Sequence, residues 1–179
     1  MTTPSVTMMR LELAGVVFIV FLGSFLHFTF ELSGNNPVVA LFSAVNESVW
    51  EHLKLAFWPA VMYTIIELVY IRSPPSSFFP AKAISILSMP TLIVIMYYLS
   101  KLFVEESLVI DIFIFVLAVV IGQALSIKLM STEAFPKTLT LSAWALVFVL
   151  AFAFMYFTFY PPHVSPFQDP ASCGYGIVE

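Results

Sequence analysis

The sequence predicts an all-α fold: a polytopic membrane bundle of five transmembrane helices, with a short interfacial or re-entrant segment between the first and second. Three observations carry this. The chain is 60% hydrophobic and only 10% charged, where a soluble domain carries roughly 25% charged residues. Its mean hydropathy is +0.99. Five apolar runs each reach the roughly 20 residues that a spanning helix needs. Residues 1–160 are expected to form the bundle and residues 161–179 an extracytoplasmic tail.

The first span is read at Leu11–Glu31. It is longer than a signal-peptide core and no small-x-small cleavage site follows it, so it is expected to stay as a helix. Ser33-Gly34-Asn35-Asn36-Pro37 then stops it. Val38–Val45 is apolar but too short to span. The second span is read at Val49–Ile71, with Pro59 inside, and the third at Ala83–Phe103, with Pro90 inside. Prolines are tolerated in spans because neighbouring helices satisfy the freed carbonyls. The fourth is read at Leu108–Leu129 and the fifth at Leu139–Phe159. Arg72–Lys82 and Ser131–Lys137 read as turn-rich loops. Pro161-Pro162 ends the membrane part.

Charge sets an expected orientation. Arg10, Arg72, Lys82, Lys128 and Lys137 fall on one side and Lys54 and Lys101 on the other. The positive-inside rule therefore predicts a cytoplasmic N-terminus and an extracytoplasmic C-terminus in the cell membrane. All three histidines then lie toward the outer face. The net charge of −4, with seven basic residues, argues against a nucleic-acid partner. A single cysteine excludes an intramolecular disulfide and a cysteine-built metal site.

The densest polar stretch is Asn46-Glu47-Ser48-Val49-Trp50-Glu51-His52-Leu53-Lys54, at the mouth of the second span. His27 and Glu31 share a helix face at the end of the first span, as do Glu47 and Glu51 at the start of the second. A short connection makes the two helices antiparallel neighbours. The clusters are thus expected to meet. His27, His52 and Glu31 are the expected ligands of zinc or another divalent transition metal. Glu51 and Glu47 are the expected catalytic carboxylates. Asn46, Lys54, Glu67 and His163 complete the expected polar site, the last if the tail folds back.

Simpler roles compete for some of these residues. Asn46 suits a helix N-cap, and Ser48 to Glu51 fits a capping box. Glu51 and Lys54 are placed to pair along the helix. Asp111 suits a helix dipole. Glu67 lies about 60° round the helix from His52, facing the same interior or snorkelling to the inner interface.

Asn46 to Lys54, preceded by His27 to Asn36, resembles the signature of an uncharacterised prokaryotic family of small polytopic membrane proteins. That family has an Asn-Glu-Ser-Xaa-Trp-Glu-His motif, and its ending is similar to Tyr160-Pro161-Pro162 through Gly174-Tyr175-Gly176-Ile177. The resemblance covers most of the chain and implies no activity. Glu31 and Asn35 at a helix end also resemble the seven-helix hydrolase superfamily of alkaline ceramidases and adiponectin-receptor-like proteins. This chain departs from it in having fewer helices and no paired histidines on the last one. That resemblance implies only that intramembrane zinc amidohydrolysis is an available chemistry.

The expected function is a metal-dependent membrane hydrolase acting on a lipid or other amphiphile, in contact with membrane lipids and as a homo-oligomer or part of a larger complex. A non-enzymatic subunit or assembly factor is the alternative. A small proton- or ion-coupled transporter with Glu67 as relay is the third reading.

Overall fold

The structure, a computed structural model, describes residues 6–71, 73–105, 107–132 and 135–177. Among these residues it is all-helical, with no strand. The elements are α1 (Val6–Leu32), α2 (Pro37–Ala40), α3 (Val49–Tyr70), α4 (Phe78–Ser100), α5 (Leu108–Met130) and α6 (Lys137–Phe159), then a 3₁₀ turn at Ser165–Phe167. The five long helices are each long and apolar enough to cross a membrane.

Polarity is distributed as a lipid environment requires. Large apolar side chains cover the outside: Val17, Phe21 and Phe25 on α1, and Val149 and Phe152 on α6, are exposed. Glu12, Glu51, Lys54, Glu67, Lys82 and Gln123 are buried. In hydrocarbon, ionisable groups must turn inward to find partners.

α3 is the central helix. Of its span, 61% is buried, against 17–33% for the other four. It packs against α1, α4 and α6, and α5 closes the bundle against α1 and α4. Pro59 and Pro90 lie inside α3 and α4, and both are buried against neighbouring helices. The apolar centre is built from Ile19, Phe57, Ala60, Met89, Ala118 and Val119.

α1 stops where the sequence predicts. Gly34 (φ 71°) and Asn35 (φ 60°) are both left-handed, and their amides donate to the Glu31 and Phe30 carbonyls. Glycine and asparagine are the residues that tolerate this backbone at a helix end. Between α1 and α3 the chain makes one helical turn, α2, capped by the Asn36 side chain on the Val38 amide. Ala40, Ser43 and Ala44 are buried, so irregular backbone here is covered by protein, as a membrane environment demands.

Two expectations need correction. α4 begins at Phe78 rather than Ala83, because Pro80 sits in the first turn, where its missing N–H costs no hydrogen bond. Lys82 is therefore not a loop residue but a buried one, 2% exposed.

The tail has a defined path. Gln168 and Tyr175 form an isolated antiparallel bridge. Within it, the Asp169 carboxylate accepts from the Ala171 amide and from the Ser172 amide and hydroxyl. Phe167 stacks on Trp50 at 4.7 Å, and Asn46 Nδ2 donates to the Gly176 carbonyl at 2.8 Å. The tail is thus folded back against the start of α3.

Candidate functional site

The mouth of α3 is built by its cap. Ser48 is the N-cap, with its side chain accepting from the Glu51 amide. Asn46, expected at that place, instead braces the preceding turn by accepting from the Ser48 amide at 2.9 Å. With its other end it holds the tail. Glu47 projects between these two capped residues, and His52 stands one turn into the helix.

Three side chains converge there. His52 Nε2 is 3.4 Å from Glu47 Oε2, and His27 Nε2 is 3.7 Å from Glu47 Oε1. The two imidazole rings are 5.2 Å apart. One ligand-type atom from each of His27, Glu47 and His52 lies within 4.8 Å of the others, the one such His/Cys/Asp/Glu group among the described residues.

Hydrogen bonding fixes how His52 presents itself. Its Nδ1 is 2.9 Å from the Ser48 carbonyl. A carbonyl only accepts, so Nδ1 carries the hydrogen and a neutral ring offers the Nε2 lone pair to Glu47. A lone pair facing a carboxylate at 3.4 Å requires positive charge between them, either a proton on Nε2 or a cation. The hydrogen bond from His52 is the main influence holding the Glu47 carboxyl below its ordinary value, against partial burial and assisted by both imidazoles.

The cluster opens onto a cavity of about 720 Å³. His27, Glu47, His52, Tyr97 and Asp111 are its ionisable lining groups. Phe28, Leu55, Ile93 and Phe115 give it apolar walls, and Pro170 and Ala171 of the tail form part of its rim. Small-molecule sites combine these features: apolar walls and a few convergent polar groups.

The remaining predicted residues lie elsewhere. Glu31 is exposed and is not part of the converging group. Glu51 is 2% exposed and does not line the cavity. Its Oε2 is 2.5 Å from Lys54 Nζ and accepts from the Val45 amide at 3.1 Å. Thr158 Oγ1 lies 3.3 Å from its Oε1. Lys54 also donates to the Ala40 carbonyl and to Thr158 Oγ1. Its three ammonium hydrogens are thus all used, in a clasp that ties α2, α3 and α6 together. His163 stacks on Tyr175 at 4.6 Å, within the tail rather than at the cavity.

Glu67 belongs to a second polar centre. It is 1% exposed and its Oε2 is 2.5 Å from Lys82 Nζ, which also pairs with Glu12. Snorkelling is thereby ruled out. Glu12 to His27 on α1 and His52 to Glu67 on α3 span equal numbers of residues, so the two centres are about 22 Å apart along the helices.

Sequence reasoning gave Asp111 only a dipole role, Lys82 only a loop position and Glu12 no partner, and placed Asp169 in a tail that could fold back to the site. The first three carried a signal: charge inside or at the edge of an apolar span. Asp169 carried the Asp-Pro turn.

No curated protein and no solved structure matches the chain. Residues 3–177 match a family of unknown function (DUF6512), and the chain belongs to that family.

Proposed function

We propose that this protein binds a divalent transition metal, zinc by its donor set, through His27, Glu47 and His52, and uses it to hydrolyse a lipid or other amphiphile held in the adjoining cavity. The carrying observation is that two imidazole rings and one carboxylate offer ligand-type atoms within 4.8 Å of one another at the edge of a largely apolar cavity.

Two histidines and a glutamate are a donor set of catalytic zinc sites, which keep a fourth position open. Ligands at about 2.0–2.1 Å from one tetrahedral zinc stand roughly 3.4 Å from one another. His52 stands 3.4 Å from one Glu47 oxygen and His27 3.7 Å from the other, with one ligand-type atom of each residue within 4.8 Å of the others, a spacing at or somewhat wider than that of a filled site. The Ser48 carbonyl on His52 Nδ1 is the outer partner that zinc-ligating histidines ordinarily have. A metal here would bring a bound water into ionisation near neutral pH. Asp111 lines the same cavity and interacts electrostatically with His52. It is therefore the residue proposed to take a proton from that water. The apolar walls would hold an acyl or other hydrophobic chain.

The orientation drawn from basic residues carries over with fewer charges. Lys82 and Lys54 are both buried ion-pair members and leave the count. Arg10, Arg72, Lys128 and Lys137 remain against Lys101, which supports an outward-facing cavity.

The test is metal content. Protein purified in mild detergent should carry one zinc per chain, lost in His27→Ala/His52→Ala and retained in Glu31→Gln. Metal-free wild type after zinc supplementation contradicts the proposal. It would leave His52 and Glu47 as an ion pair in a non-catalytic subunit.

A further inference from the structure

The second polar centre lies apart from the histidine site, and its composition is unbalanced. Glu12 of α1, Glu67 of α3 and Lys82 of α4 are 0%, 1% and 2% exposed. The Lys82 ammonium pairs with both carboxyl groups. Other polar groups around it come from α3 and α5. Tyr63 donates its hydroxyl to the Leu11 carbonyl. Ser126 donates to Glu12 Oε1 at 2.8 Å, and Gln123 to the Glu12 carbonyl at 3.4 Å. None of the three carries charge. Among the described residues, two ionised carboxylates and one ammonium would leave a net negative charge in the bundle, which a low-dielectric interior strongly disfavours.

The oxygens themselves show where the balance lies. Glu12 Oε2 and Glu67 Oε1 are fully buried and have no hydrogen-bond partner. Glu12 Oε1 and Glu67 Oε2 both lie against the same Lys82 ammonium, so the two carboxyl groups are close neighbours. Ionised carboxylates only accept hydrogen bonds, so two of them cannot pair directly. One proton held by the pair turns one carboxylate into a donor and brings the centre to neutrality. Carboxyl pairs that share a site hold a proton for this reason.

We infer that Glu12, Glu67 and Lys82 form a buried proton-binding site, with one proton shared by the two carboxyl groups and the Lys82 ammonium as the fixed counter-charge. Binding converts one carboxylate to a carboxylic acid and changes nothing else covalently. The site is independent of the histidine centre and of any metal there. Ile19, Phe57, Ala60 and Met89 are among the buried apolar residues of the core. The site's place near the end of α3 and the start of α4 sets it toward the opposite membrane surface from the cavity. This is the chemistry of a proton-coupled step.

Infrared spectroscopy of the full chain in lipid nanodiscs tests it. Wild type at neutral pH should show the carbonyl stretch of one protonated carboxyl per chain, moving on transfer to D₂O and on ¹³C labelling of glutamate. Glu67→Gln and Glu12→Gln should each abolish it, while Glu31→Gln should not. Absence of the band in wild type, or its survival in both variants, overturns the assignment. If the variants fold poorly, the labelled wild-type band alone decides: no glutamic acid signal means no shared proton. A site that instead holds sodium would show no band and a thermal stability that rises with sodium over choline, which also overturns it.

Discussion

Gly23→Ala tests whether helix packing sets the geometry of the histidine site. Gly23 is buried where α1 crosses α3 and lines the cavity. A Cβ built there would lie 2.3 Å from the Leu55 carbonyl oxygen and 2.7 Å from Phe115 Cζ. The closest contact that Cβ atoms show is about 3.0 Å, so α1 and α3 must separate by at least about 0.7 Å. The obstacle is backbone and cannot rotate away. Overpacking of this kind costs about 1–3 kcal/mol. His27 is one turn along the same face and moves with the helix. Metal–ligand distances are held to about ±0.2 Å, so the shift exceeds what the site tolerates. Zinc affinity, measured by competition with a chromophoric chelator, should fall by about 10–100-fold, the size of second-shell losses. Gly34→Ala is the control. It has nothing within 4 Å but a φ of +71°, so it should cost about 1–2 kcal/mol through left-handed backbone and leave zinc affinity unchanged. Gly23→Ala with wild-type zinc affinity, whatever its stability, would refute the reasoning.

Lys54→Met leaves Glu51 buried without its ammonium partner and should destabilise by about 3–5 kcal/mol. Thermal unfolding in detergent reads this, and Lys54→Met/Glu51→Leu should recover much of the loss. A single-variant loss near zero would mean that the clasp is not structural. Tail docking should depend on pH with a defined sign. Burial alone would raise the Asp169 carboxyl, but hydrogen bonds from Ser172 and Ala171 hold it below its ordinary 3.8. This contribution is complete above that ordinary value and disappears as pH falls through the lower folded value. Hydrogen-exchange protection of the Ala171 and Ser172 amides should therefore hold from neutral pH to about 5 and collapse under stronger acid. Loss of protection on raising the pH instead would reverse the assignment.

The five spans were legible because a bilayer dictates their length and polarity, and little else in the chain is apolar for so long. The stop at Gly34-Asn35 was legible from backbone chemistry. The start of α4 was not, since Pro80 and Lys82 both resemble loop residues until Glu12 and Glu67 are brought to Lys82 by packing. The pairing of His27 with His52 followed from two helix ends joined by a short connection. Glu47 was named as a carboxylate of the site, but periodicity could not direct it, because it precedes the helix. Glu31 shares a helical face with His27, yet it stands at the exposed end of α1 and outside the converging group. Asp111 reaches the cavity only because α5 packs against α1, a contact between non-consecutive spans. The Asn46–Gly176 bond joins residues 130 positions apart, which no local pattern encodes.

X-ray absorption at the zinc edge of the purified protein tests the central claim most directly. The expected result is a four-coordinate site with two imidazole nitrogens at about 2.0–2.1 Å and oxygen in the remaining positions, reduced to one imidazole in His27→Ala. Zinc absent from the wild-type protein, or bound without imidazole, would contradict it.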